Sequence, residues 1–214
     1  MGNADYDNMP SDWTDLTKDE YKGLYQLHNL GGGTAKTVFA SIISRYQDPD
    51  GDLGISDEGW EIAAKFLGNA HNIADGEDAV GSVIDGTYPM DEHWASGVLT
   101  EQKDRDYKFQ IMTPDIGEPY VVESLAISAG TKKYDTCVAF LNWLGSSDVQ
   151  LDWSNNYGTI PCQKEALAQV SDDIKELMET LKPQDLDWSF IAENVDAWVE
   201  KAAVSYTHLT LPTT

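Results

Sequence analysis

The sequence predicts an α/β protein with a largely parallel sheet, and two observations carry that expectation. Short apolar strand candidates alternate with amphipathic helices, and a 41% apolar composition with seven tryptophans gives 214 residues enough material for a real core. The first strand candidate is YKGLYQLHNL (21–30), which feeds the glycine turn at 31–33. Val38, Phe39, Ile42, Ile43 and Tyr46 then recur at three- and four-residue steps, so a helix starts near Thr34 and runs to about Tyr46. DPDGDLGIS (48–56) reads as a loop, and Ser56 caps a second helix carrying Trp60, Ala64 and Leu67.

Further along, HWASGV (93–98) and YKFQIM (107–112) read as short strands and YVVESLAIS (120–128) as a stronger one. KKYDTCVAFLNWLGSS (132–147) is an amphipathic helix closed by Gly145. Two helices follow. Residues 162–181 place Ala166, Leu167, Val170, Ile174, Leu177, Met178 and Leu181 on one face, and 187–203 do the same with Ile191, Val195, Trp198 and Val199.

Charge narrows the partners. Fourteen basic against 37 acidic residues leave a net −23, which repels nucleic-acid phosphates and anionic membrane faces. The acids are scattered, as on a solvated surface suited to an exported or salt-exposed protein. Cys137 and Cys162 form no CxxC and have no nearby His pair, which argues against a zinc site and a dithiol redox motif, while a single disulfide between them is allowed. No apolar run approaches the ~20 residues of a membrane-spanning helix. The opening MGNADYDNMPSDW is polar and loop-like with no signal peptide, and VSYTHLTLPTT (204–214) looks like a translated sequencing-adaptor tail, so both ends read as those of a piece cut from a longer protein.

GGGTAKT invites comparison with a phosphate loop, but that loop needs a glycine directly before its lysine, and Lys36 follows Ala35. What remains is a glycine turn at a helix start. It is either a plain N-cap or an anion seat made of the Gly33, Thr34 and Ala35 amides and the Thr34 hydroxyl. DPDGDLGISDEG lacks the glycine and glutamate that a calcium loop requires and reads as a solvated turn. His28, His71, His93 and His208 show no HxxxH or HExxH spacing, and no GxSxG elbow occurs, so no metal or catalytic residue and no cofactor is expected. In DEHWASGV an aromatic face precedes small residues at a strand end, a suitable wall for a ligand. Glu123 interrupts an apolar strand and needs a partner, either a structural Lys or Arg or a ligand ammonium.

The succession PSDWTDLTKDEYKG, GGGTAKTVFASI, DEGWEIAAKFLGN, HWASG, PYVVESLAISAGTKKYDTCVAFLNWLGSSDVQ and NYGTIPCQKEAL resembles the second half of a type 2 periplasmic solute-binding protein of an ABC importer. The resemblance covers Pro10 to Ala203 and is to the group of ferric-iron, aminophosphonate, thiamine and spermidine/putrescine binders. It implies a two-lobed α/β fold with the second lobe largely present and the first incomplete. Residues 11–118 are then the main body of the second lobe, 119–160 the hinge crossing and first-lobe remnant, 161–203 the helices returning to the second lobe, and 204–214 the non-native tail. The apolar side chains of Val121, Leu125, Phe140 and Leu144 are expected to be left partly uncovered.

The resemblance also implies a site. VVESLAI is similar to the polyamine binders' segment in which an acid meets the ligand amine, which gives Glu123 that role. WASG is similar to their Trp-Asn-Gly-Ser turn, so Trp94, Ser96 and Gly97 line the cleft, with Ala95 replacing the Asn. GGGT resembles the iron and aminophosphonate branch, where the helix start faces the ligand, whereas the consecutive tyrosines with which that branch holds ferric iron are absent. Gly32, Gly33 and Thr34 as an anion seat, with Glu123 as a carboxylate, imply a small zwitterion or anion captured by lobe closure. A polyamine is the alternative solute. The implied setting is the periplasm or a lipoprotein anchored outside the membrane, with an ABC permease as partner and no enzymatic activity. The rivals are a phosphotransfer enzyme using GGGTAKT and an acidic module that contacts only other proteins.

Overall fold

The computed structural model describes residues 1–205. The chain forms two compact units: unit 1 comprises 1–94, 107–119 and the chain from 182 onward, and unit 2 comprises 95–106 and 120–181. The expected boundary after Glu118 falls one residue before the Pro119–Tyr120 step between units. Residues 161–181, expected to return with the C-terminal helix, group with unit 2 instead. Positions 206–214 of the expected tail lie outside the described residues, while Val204 and Ser205 belong to the last helix.

Unit 1 is built on a parallel sheet of three short strands, β1 (Tyr25–Leu27), β3 (His71–Asn72) and β4 (Met90–Asp91), in the order β3-β1-β4. β1 is central and buried at every residue, and the Tyr25 hydroxyl donates to the Phe66 carbonyl. Gly2 pairs antiparallel with both Met90 and Gln110, which is all the strand pairing that YKFQIM achieves. Helix α1 (Gly33–Ile43) follows β1, and a 3-10 turn carries it to Tyr46, close to the expected span. Its buried Phe39, Ile42 and Ile43 each contribute about 1.5–3 kcal/mol by burial.

Residues 47–52, expected as a loop, form β2 (Gln47–Asp52), which turns back so that Gln47 and Asp52 both bridge Ile55. Helix α2 (Asp57–Asn69) starts where expected, with the Ser56 hydroxyl accepting from the Gly59 amide at 3.2 Å. A short helix α3 (Ala79–Asp85) precedes β4. The last helix, α9 (Trp188–Ser205), packs on α1 and seats Ile191, Trp198 and Ala202 in the same core. It also latches the β2 turn: Trp198 Nε1 donates to the Leu53 carbonyl (3.0 Å), and Lys201 pairs with Asp52 (2.7 Å) while lying over the Trp60 ring. Gly117 at φ +92° lets the chain run close beside Pro183, where the Glu118 amide donates to the Lys182 carbonyl and the Gln184 amide donates to the Glu118 carbonyl.

Unit 2 consists of helices α4 (Ala95–Arg105), α5 (Tyr134–Leu144), α6 (Ser147–Tyr157), α7 (Lys164–Leu167) and α8 (Asp172–Thr180). HWASGV, expected as a strand, lies largely in α4, and the helix expected over 162–181 is two helices separated at Val170 and Ser171. Its core holds Ala166, Val170, Ile174 and Leu177, with α6 against α4, α5 and α7. YVVESLAIS forms no regular secondary structure and pairs with no strand among the described residues, with Val122 75% exposed. Helix α5 is apolar and buries none of its residues. Val121, Leu125 and Phe140 are exposed and Leu144 is half-buried. Cys137 and Cys162 are free thiols.

Candidate functional site

In an open parallel sheet ligands bind beyond the carboxyl ends of the strands, because the chain there leaves for helices on either side and opens a crevice. Unit 1 has such an edge where β1 and β4 end. Their register pairs Gln26 with Asp91, and each strand continues two residues to a histidine, His28 and His93. The two rings therefore become neighbours, with centroids 6.3 Å apart, although 65 positions separate them in sequence.

Asp91 stands with them. Its side chain is fully buried, His93 Nδ1 lies 3.1 Å from Oδ2, and His28 Nε2 lies 4.0 Å from Oδ1. Asp91 Oδ1, His28 Nε2 and His93 Nε2 are buried without a hydrogen-bond partner. One donor atom from each of the three residues falls within 4.8 Å of the others, so the set offers two imidazoles and a carboxylate to a metal ion. The Met1 ammonium donates to the Asp91 carbonyl oxygen at 2.7 Å, so it satisfies the backbone and not the carboxylate.

Glu92 is next in the chain and 2% exposed; its carboxyl faces the His28 backbone amide, but among the described residues neither oxygen makes a well-formed hydrogen bond. Burial, reinforced by the charge of Asp91, pushes its carboxyl up to about 7. Trp94 ends unit 1 half exposed, with its ring stacked on His93 (centroids 4.3 Å apart, 12° between planes). It presents an aromatic face at the strand edge, as the sequence led one to expect.

The glycine turn leaves the same edge. Gly32 is the N-cap of α1 and makes no side-chain cap bond, and the first turn contains no acid. Asn29 closes the approach by accepting from the Gly31 amide through its side chain (2.7 Å) and from the Gly32 amide through its carbonyl (2.8 Å). Gly32 and Gly33 are exposed and Thr34 is half-buried, so the first amides of α1 face outward uncapped. Lys36 pairs with Asp196 at 3.1 Å and is committed to α9.

Of the expected ligand residues, Gly32, Gly33, Thr34 and Trp94 lie in unit 1 at this strand edge, whereas Ser96 and Gly97 open α4 in unit 2. Glu123 lies in unit 2 on the unpaired stretch, exposed and without an ion-pair or hydrogen-bond partner among the described residues. The expectation that it interrupts a strand is thus corrected, and of the two expected partners no structural Lys or Arg is found among the described residues. A carboxylate in water is satisfied by solvent. Sequence spacing missed His28, Asp91, Glu92 and His93, since only strand register brings them together.

Known proteins share the sequence and fold of this chain. Probable ABC transporter periplasmic-binding protein y4fP of Sinorhizobium fredii is 33% identical over 194 residues, 91% of this chain and 54% of the relative. The chain thus spans about half the length of the curated relative it matches. Solved structures share the fold at low identity: the ferric binding protein from Campylobacter jejuni (TM-score 0.72, 20% identical, 98% of this chain and 66% of that one) and Pasteurella haemolytica apo ferric ion-binding protein A (TM-score 0.77, 16% identical, 100% and 67%). The fold is that of a type 2 periplasmic binding protein, present in part. The bacterial extracellular solute-binding protein model matches residues 2–182, a stretch that contains the whole strand edge with its histidines and glycine turn, and the chain belongs to that family.

Proposed function

We propose that the chain is the solute-capturing part of an ABC importer's binding protein, acting outside the cytoplasmic membrane without catalysis and delivering its solute to a membrane permease. The observation that carries this reading is the strand edge of unit 1. An uncapped α1 N-terminus, an outward aromatic face and buried polar atoms without partners converge there in a member of a solute-binding family. The α1 amides suit an anionic group, worth about 0.3–1 kcal/mol from the helix dipole and more where water is excluded. A small zwitterion such as an aminophosphonate carries the anionic group that α1 would seat, and Glu123, in unit 2, suits an ammonium. Hinge closure is proposed for two units that differ from the expected segments, since 95–106, expected within the second-lobe body of 11–118, and 161–181 both group with unit 2. Lipid anchoring is one form of the same extracytoplasmic setting. A phosphotransfer role for GGGTAKT is disfavoured because Lys36 is held by Asp196.

Thermal unfolding of the chain against aminophosphonates, phosphate esters, polyamines, thiamine and ferric citrate tests the reading, since a ligand of the native state raises Tm by mass action. A saturable rise with one class is expected. Thr34→Ala abolishes it for an anion or zwitterion, and Glu123→Gln abolishes it for a polyamine. A cooperative melt that no class shifts would overturn the proposal.

A further inference from the structure

We propose that His28, Asp91 and His93 form a binding site for a divalent first-row transition-metal ion at the strand edge of unit 1. Two imidazoles and one carboxylate are a donor set suited to Zn²⁺, Ni²⁺ or Cu²⁺, and the remaining positions are left to water or a chelating anion. Hard ferric iron, which seeks oxygen donors, is the poorer match, and the ferric neighbours share only the fold.

Three independent features converge on this assignment. Strand register fixes the set, because the Gln26–Asp91 pair carried two residues forward sets His28 opposite His93. Burial comes without partners: the Asp91 side chain is fully buried, the His93 side chain is 6% exposed, and among the described residues Asp91 Oδ1 and both Nε2 atoms make no hydrogen bond. Among the described residues the Asp91 carboxylate has no Lys or Arg within ion-pair distance, its ion-pair contacts are the two histidines, and the nearby Met1 ammonium is spent on the Asp91 backbone carbonyl. A buried carboxylate with such neighbours gains most from a cation.

The geometry requires one movement. Metal bonds of about 2.1 Å place neighbouring donors roughly 3–3.5 Å apart, closer than the 4.8 Å that encloses this set. His28 supplies the movement. Its side chain is 38% exposed, the most open of the three, and a turn of the ring toward Asp91 would close the set, while Asp91 and His93 are held by burial. Coordination of the ion then replaces the hydrogen bond between His93 and Asp91. Trp94, stacked on His93, reports the event through its fluorescence.

The proposal rests on unit 1 alone and deepens the solute-binding reading only by naming a cation at the same edge. Titration calorimetry of the chain with ZnCl₂ and NiCl₂ at pH 7.5 tests it, alongside quenching of Trp94 by CuCl₂ and ring-proton NMR. We expect one site per chain, shifts confined to the His28 and His93 rings, and at least a tenfold loss of affinity in His28→Ala, whose unchanged Tm without metal shows that the fold is kept. Asp91→Asn keeps the shape and abolishes the site. Several weak sites, unchanged in His28→Ala, would mean ions scattered over an acidic surface and would overturn the assignment. Zn²⁺ binding with no response to any organic solute retains this proposal and removes the one before it. A solute response without metal binding does the reverse.

Discussion

Glu118 offers a direct test of how burial sets stability in unit 1. Its carboxyl accepts from Trp13 Nε1 at 2.9 Å, yet burial pushes it from an ordinary 4.5 up to about 7. A folded pKa above the unfolded one means that the folded state holds the proton more tightly. The contribution to stability is therefore full below about pH 4.5, is lost as pH rises toward 7, and stays lost above it. The gap of 7 − 4.5 = 2.5 corresponds to about 3 kcal/mol, which partial solvent screening trims to about 2–3. Glu118→Gln keeps an acceptor for Trp13 and removes the charge. In urea unfolding it should match the unsubstituted chain at pH 4.5 and exceed it by about 2 kcal/mol at pH 8.5, while the slope due to Glu92 persists in both. An equal difference at both pH values, or a loss at pH 8.5, would refute the reasoning.

Three further outcomes follow from the packing. Trp198→Ala, which empties a fully buried site and orphans the Leu53 carbonyl, should cost about 3–5 kcal/mol in urea unfolding, and Trp198→Phe about half of that. Gly117→Ala should cost at least ~1–3 kcal/mol from backbone strain alone, since a Cβ would meet the Pro183 and Gln184 backbone at 2.7 Å; an unchanged Tm would contradict the close approach. The exposed face of α5, with Phe140 and Trp143 rings 5.6 Å apart, should enhance ANS fluorescence in the folded chain, and the double substitution Phe140→Ser with Trp143→Ser should reduce it. No native-state enhancement would mean that the face is covered.

The helices with strong periodicity were legible: α1, α2, α5 and α9 lie where their apolar spacing sets them, and Ser56 caps α2. The strands were not. β3 and β4 have two residues each, too few for an alternating pattern, and HNIA or MDEH carries no run of β-branched residues. The opposite error befell YVVESLAIS, whose apolar pattern announces a strand that finds no partner among the described residues. Local pattern states a preference for extension, and pairing requires a neighbour. The site divides similarly. The glycine turn and Trp94 were readable because turn chemistry and aromatic exposure are local properties. His28 and His93 become a pair only through β1–β4 register, which no spacing within the chain encodes.

Unit 1 is assembled from three stretches of chain, and the last of them supplies Trp198 and the Gln184 side chain that donates to the Ser41 carbonyl across 143 positions. During synthesis the strands and both histidines emerge long before the helix that packs behind α1. A nascent chain halted before Trp188 carries every group of the strand edge but lacks the support that holds them in register. Contacts of such long range close slowly. Completion of this body is therefore a late event in the life of the chain, and ligand added to a ribosome-stalled series should be bound only once α9 has cleared the exit tunnel.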